Sequence, residues 1–204
     1  MKIVAVSKTK PVSDILIAYN AGHRVFGENR VQELITKKGQ LPADIEWHFI
    51  GHLQSNKVKQ IVPSAATIQS VDSFKLLSVI DREAQKAGLI TDCLIQFHIA
   101  REETKFGFSP EEAMEMFRSE DFKALHNVRI RGVMGMATFT QNMEAVREEF
   151  RFLRNWYVLI KQEFFSGNNE FSEISMGMSG DYMIAIEEGA TIVRIGSLIF
   201  GERG

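Results

Sequence analysis

Short runs of β-branched and aromatic residues recur along the chain, with helical periodicities between them. Runs that predict strands begin near Ile3, Val25, Glu46, Thr67, Thr91, Val128, Phe171 and Thr191. Each is rich in Val, Ile or Phe, as a strand buried on both faces should be. The segment Ser13 to Ala21 places Ile15 and Tyr19 on one helical face. Ser73 to Ala87 carries Leu77, Ile80, Ala84 and Ala87, followed by Gly88 as a stop. Ser109-Pro110-Glu111-Glu112 reads as a capping box with proline at the first helical position. Asn142 to Phe165 is the longest helical pattern, with Val146, Phe150, Leu153, Tyr157, Ile160 and Phe164 at spacings that alternate between four and three. A last helix is predicted to begin at Ser179 or Gly180 and to end near Gly189.

Eight strands alternating with helices predict an α/β fold, a single (β/α)8 TIM barrel. The 204 residues allow about 25 per unit, near the lower end of this architecture, which starts at about 200. A doubly wound open sheet is the alternative that periodicity leaves open. No linker or low-complexity tract divides the chain, so residues 1–204 are read as one domain. Gly167-Asn168-Asn169-Glu170 is read as a loop within it.

Composition narrows the class. Apolar residues make up 45% and charged residues 25%, which excludes a disordered chain, a collagen-like repeat and a coiled coil. With 24 basic against 26 acidic residues the net charge is -2, so no nucleic-acid or anionic-membrane partner is expected. The one cysteine, Cys93, rules out an internal disulfide framework and points to a reducing compartment. No targeting signal is read at the amino terminus, and no run approaches the ~20 apolar residues of a membrane span. A soluble cytoplasmic protein is expected.

In barrels of this kind the active site gathers at the carboxyl ends of the strands, so the residues after each strand carry the candidate chemistry. Lys8 follows Ile3-Val4-Ala5-Val6 with the parity of Val4 and Val6. A lysine desolvated there offers a neutral amine for Schiff-base formation; the plainer alternative is a solvated lysine at a strand end. Asn29, after Phe26-Gly27-Glu28, offers donor and acceptor together, or serves as a helix cap. His48 and His52 are four apart but straddle a strand end and a glycine, which does not read as a metal site. Ser175-Met176-Gly177-Met178-Ser179-Gly180-Asp181 feeds a helix, and Gly196-Ser197 follows the eighth strand. Loops in those two places suit a phosphate. Arg194, inside Thr191-Ile192-Val193-Arg194-Ile195, is costly to bury unless it is paired or contacts a ligand. An amine, a phosphate cradle and an arginine together match a phosphorylated aldehyde held as an imine, with pyridoxal 5′-phosphate (PLP) as the candidate. A lysine-imine aldolase acting on a sugar phosphate shares most of these parts.

These residues also carry a resemblance. Ala5 to Pro11, Phe26-Gly27-Glu28-Asn29, Trp47 to Lys57, Ser175 to Ser179, and Val193-Arg194-Ile195-Gly196 through Phe200-Gly201 resemble the pyridoxal phosphate homeostasis protein family, in order and over nearly the whole chain. The resemblance implies a PLP fold-type III barrel, similar to the amino-terminal domain of bacterial alanine racemase. It implies that Lys8 forms the internal aldimine and that Ser179, Gly196 and Ser197 hold the phosphate. It further implies that Arg194 faces the pyridine nitrogen and that Asn29 lies near the ring. An arginine there stays protonated and leaves the ring nitrogen unprotonated, a poorer electron sink for carbanion chemistry. Two departures stand out. The family usually has a helix before its first strand, whereas this sequence begins almost at that strand, so the open barrel end is expected to need another cover. Arg30 also stands where an aromatic is common, which bears on the outer pocket.

A racemase needs acid/base groups on both faces of the substrate carbon. Lys8 would serve one face. Alanine racemases draw the other from a tyrosine in a carboxy-terminal domain, which a chain ending at Gly204 is expected to lack. Met136 stands where those enzymes often carry histidine and transfers no proton. Of Tyr19, Tyr157 and Tyr182, only the last is near the site in sequence. The expectation is a non-catalytic, monomeric PLP carrier that buffers or delivers the cofactor, with PLP-dependent apoenzymes as transient partners. A small PLP-dependent amino-acid racemase or lyase is the alternative.

Overall fold

The computed structural model describes residues 1–100 and 106–202. Eight strands, β1 (Lys2–Val6), β2 (Val25–Glu28), β3 (Glu46–Phe49), β4 (Thr67–Val71), β5 (Thr91–Phe97), β6 (Val128–Gly135), β7 (Glu173–Ser175) and β8 (Ile192–Ile195), form a closed barrel in sequence order. Every pairing is parallel. Closure rests on β1 against β8, with Lys2 opposite Ile192, Val4 opposite Arg194 and Ala5 opposite Ile195. That register decides between the barrel and the open sheet, because an open sheet would leave β1 or β8 as an edge.

The strands begin within two residues of the sequence expectation. The largest offset is at β7. Phe171 lies before the strand, fully buried, stacked on Phe165 and Tyr157. Its apolar character comes from packing under α7, not from the sheet.

The helices are α1 (Val12–Asn20), α2 (Val31–Lys38), α3 (Val58–Ile61), α4 (Phe74–Ala87), α5 (Pro110–Arg118), α6 (Glu120–Lys123), α7 (Met143–Phe164), α8 (Tyr182–Glu187) and α9 (Ser197–Phe200). Ser73 caps α4 by accepting from the Leu76 N–H, and Gly88 ends it with φ of 65°. Ser109 and Glu112 complete the capping box of α5, with Pro110 in its first turn. The helix α8 starts later than expected. Asp181 accepts from the Met178 N–H at 2.5 Å and its own N–H bonds the Met178 carbonyl at 3.1 Å, so residues 178–181 form a turn before the first helical residue.

Two apolar layers result. Phe26, Trp47, Phe49, Leu34, Phe150 and Leu153 belong to the large layer between strands and helices. Val4, Leu94, Met134 and Ile192 form a separate small cluster inside the barrel. The interior is therefore only partly apolar, and the rest of it is filled by the polar side chains described below. Among the described residues no helix is long and apolar enough to cross a membrane.

Candidate functional site

Lys8 is partly buried in the turn that follows β1. Sheet pairing runs one residue past the strand, since the Ser7 N–H donates to the Gly27 carbonyl at 3.0 Å. The Lys10 N–H then closes the turn on the Ser7 carbonyl at 3.1 Å. Thr9 has φ of 63°, a left-handed conformation that a β-branched residue adopts only under constraint. The constraint comes from α2. Glu33 Oε2 accepts from the Thr9 N–H at 2.9 Å, and Lys37 Nζ donates to the Ser7 carbonyl at 2.8 Å. The same ammonium reaches Glu28 Oε1 at 2.6 Å and Glu33 Oε2 at 3.1 Å. Ser7 Oγ adds a bond to Glu28 Oε1 at 2.7 Å. Burial raises the Glu28 pKa, while Lys37 and Ser7 pull it back down. The backbone on both sides of Lys8 is thus fixed by charged side chains of α2, the buried Lys37 and the partly exposed Glu33.

Asn29 follows β2. Its Oδ1 is buried with no hydrogen-bond partner among the described residues, which is costly unless a ligand supplies one. Gly51 in the loop after β3 packs on its backbone. A Cβ there would lie 2.2 Å from the Asn29 carbonyl oxygen.

The loops after β7 and β8 meet at one bond. Ser179 Oγ accepts from the Gly196 N–H at 3.1 Å. Gly196 also sits against Val6, so this pair lies beside the end of β1. Ser197 opens α9 and is exposed. Lys10 Nζ donates to the Phe200 and Glu202 carbonyls at 2.8 and 3.1 Å, tying the Lys8 turn to the end of α9. Five of the six predicted site residues, Lys8, Ser179, Arg194, Gly196 and Ser197, therefore lie at or just beyond the carboxyl ends of adjacent strands β7, β8 and β1. Asn29 stands beyond neighbouring β2.

Arg194 is 4% exposed in β8. Its Nη1 donates to Ser175 Oγ at 2.6 Å and its Nη2 to the Gly135 carbonyl at 2.9 Å. Burial pushes its pKa down to about 10, with Asp181 opposing. It remains a cation at neutral pH. Asp181 is itself raised by burial, against the pull of the Met178 N–H and the Arg194 charge.

The two histidines face different surroundings. His48 is fully buried and bonded to Gln69 and Glu46. His52 bonds Asp72 at 2.9 Å and stacks on Phe106 with ring centroids 3.8 Å apart. Met136 packs against the interior cluster, and Arg30 is exposed. Tyr19 bonds Asp44, Tyr157 donates to the Phe171 carbonyl, and Tyr182 packs on the outer core. Sequence reasoning missed the buried support, namely Lys37, Glu28 and Glu33 under the Lys8 turn, and Ser175, Gln69 and His48 behind Arg194. The available signal was polar residues standing within apolar strands at positions 48, 69 and 175.

A parallel barrel with a lysine turn at β1 and an arginine in β8 defines a class, and the family model for the alanine racemase N-terminal domain matches residues 1–204. Relatives narrow it. A pyridoxal phosphate homeostasis protein of Aquifex aeolicus is 44% identical over 203 residues, covering 99% of this chain and 87% of the relative. One from Synechocystis is 37% identical over 205 residues, covering 100% and 92%. The chain belongs to the pyridoxal phosphate homeostasis protein family. Among solved structures, PipY of Synechococcus elongatus with PLP bound superposes with a TM-score of 0.89 at 35% identity, covering 98% of this chain and 92% of PipY. Alanine racemase of Clostridium difficile shares the fold at a TM-score of 0.77 and 13% identity, covering 100% of this chain and 53% of the racemase.

Proposed function

We propose that residues 1–204 act as one PLP-binding unit that holds and releases the cofactor at the barrel mouth, with Lys8 as the attaching amine, and so contributes to intracellular PLP homeostasis. The observation that carries this reading is the convergence of the constrained Lys8 turn, the Ser179–Gly196 contact and buried Arg194 at the ends of adjacent strands. The residues fit the cofactor. Asn29 Oδ1 is a buried acceptor in need of a donor, and Arg194 is a cation at neutral pH. When bound, PLP supplies an electrophilic aldehyde carbon and a phosphate dianion. Lys8 would provide the amine that holds that aldehyde. Ser179 and Ser197 would hold the phosphate through their hydroxyls, joined by the Gly196 N–H once it turns from Ser179 Oγ. Arg194 would donate to the ring nitrogen, and Asn29 would lie near the ring.

The carrier reading draws on the names of the relatives and on Met136. That side chain packs against the interior cluster, where the related racemases often carry histidine, and it has no proton to give. Arg194 adds to this, since a ring nitrogen that accepts a hydrogen bond and stays unprotonated stabilises a carbanion poorly. The unit acts as a monomer in the cytoplasm, where the free, buried Cys93 stays reduced. PLP-dependent apoenzymes are its transient recipients.

The test is a visible spectrum of the purified protein with PLP, borohydride reduction and mapping of the adduct. A coloured protein with the adduct on Lys8 is expected. A colourless protein or an adduct elsewhere overturns the reading. Sustained inversion or cleavage of added amino acids would replace the carrier with a racemase or lyase.

A further inference from the structure

A hydrogen-bonded relay crosses the barrel interior behind the proposed site. From the mouth, Arg194 Nη1 meets Ser175 Oγ at 2.6 Å, Ser175 Oγ meets Gln69 Oε1 at 2.7 Å, and Gln69 Nε2 meets His48 Nδ1 at 2.6 Å. His48 Nε2 then meets Glu46 Oε1 at 2.8 Å. At the floor Lys2 Nζ bonds the same carboxylate oxygen at 2.9 Å and lies 3.7 Å from Glu173 Oε1. Ser175, Gln69 and His48 are buried and come from β7, β4 and β3.

The order of donors is dictated from both ends. A guanidinium can only donate and a carboxylate can only accept. At the floor, Glu46 therefore requires a proton on His48 Nε2. Ser175 Oγ donates to Gln69 Oε1, which turns the Gln69 NH2 toward Nδ1 and makes Nδ1 the accepting lone pair. The same donation leaves the Ser175 oxygen free to accept from Arg194. Starting at Arg194 gives the same sequence in reverse. Any other arrangement buries a polar hydrogen without an acceptor or sets two donors face to face, at a cost that a dry interior magnifies.

We propose that Gln69, His48 and Glu46 are positioning residues for Arg194, holding its guanidinium in one orientation through a relay that only the Nε2–H tautomer of His48 completes. The consequence for the cofactor rests on the reading that Arg194 faces the PLP ring nitrogen; the relay itself does not. Glu46 touches neither Arg194 nor the mouth, so its influence there is the distinctive expectation.

The experiment is nitrogen-15 NMR of the cofactor-free protein, reading the His48 tautomer and the solvent exchange of the Arg194 guanidinium protons. In the wild type, His48 carries its proton on Nε2 and the Arg194 protons exchange slowly. Glu46→Gln, at the half-exposed floor, accepts or donates equally well. It gives a mixture of His48 tautomers and speeds Arg194 exchange roughly tenfold. Gln69→Met, close in volume, leaves the His48 tautomer set by Glu46 yet speeds Arg194 exchange to the same extent. A wild-type His48 protonated on Nδ1 overturns the proposal, as does Arg194 exchange that neither variant alters. With PLP added, both variants shift the visible band and release the cofactor roughly tenfold faster. Altered exchange with an unchanged band and release rate overturns the positioning role. Failure of the wild type to bind PLP overturns the functional reading instead, and the cofactor-free spectra still decide the relay.

Discussion

Lys37 donates to the backbone carbonyl of Ser7 at 2.8 Å, so a lysine on α2 holds the residue immediately before Lys8. The same Nζ neutralises Glu28, whose side chain is fully buried. Removing one partner of a buried ion pair strands the other. Lys37→Met is expected to cost about 3 kcal/mol in chemical denaturation, and to loosen the turn around Lys8. Adding Glu28→Gln to Lys37→Met should recover part of that loss, because no fully buried charge is then left unpaired. A double variant less stable than Lys37→Met would contradict this account.

Acid should weaken the barrel floor. The hydrogen bond from His48, followed by the Lys2 bond, lowers the Glu46 pKa from 4.5 to about 2 despite burial. A carboxyl whose folded pKa is depressed stabilises the fold above its unfolded pKa and loses that contribution as pH falls toward the folded value. The window is therefore 4.5 down to about 2. Glu46 is partly exposed, so the full shift overstates the effect, and roughly 1–2 kcal/mol is expected at neutral pH. Urea melts of wild type and Glu46→Gln should differ at neutral pH and converge through that window. A gap that stays constant would show that Glu46 does not titrate as described.

How much of this was legible beforehand follows from which interactions are local. Runs such as Ile3 to Val6 announce strands because their apolar content has no helical period. The caps of α4 and α5 lie within a few residues of the helices they start or stop, so Ser73, Gly88 and Ser109 could be read directly. The helix α2 carries no side-chain cap, and its buried residues are Leu34 and a lysine, so nothing in its pattern marks a core face. Lys37 reads as a solvated surface residue until the register of β1 and β2 puts Ser7 beside Glu28. Arg194 was conspicuous because a guanidinium in an apolar strand demands partners. Those partners are 19 and 59 residues away, and Gln69 is 106 residues from Ser175. Such a set exists only once the barrel closes.

Cys93 is fully buried in β5, between Ile68 of β4 and Ile130 of β6. Burial, with Asp92 and Asp81 nearby, pushes its thiol pKa well above the ordinary value. Neither thiolate nor access is available in the folded state. Thiol reagents should therefore leave the native protein unmodified and label it stoichiometrically in denaturant. Prompt labelling of the native protein would mean that β4, β5 and β6 open far more readily than their packing implies.

Gly51 is the position where one added carbon should reach the site through the backbone of a predicted ligand, Asn29. A Cβ there falls 2.2 Å from the Asn29 carbonyl oxygen and 2.6 Å from its Cα. Both are backbone atoms that no rotamer change can move. The loops after β2 and β3 would have to part, taking the Asn29 side chain with them. Gly51→Ala is expected to cost roughly 2 kcal/mol of stability and, on the proposed function, to weaken PLP binding. Gly167→Ala is the control. Nothing lies within 4 Å of a Cβ there, and it should stay within about 0.5 kcal/mol of wild type. Thermal melts and PLP titrations of both variants test the pair. If Gly51→Ala destabilises the fold but binds PLP with wild-type affinity, the Asn29 loop is structural only, and the buried Oδ1 of Asn29 does not serve the cofactor.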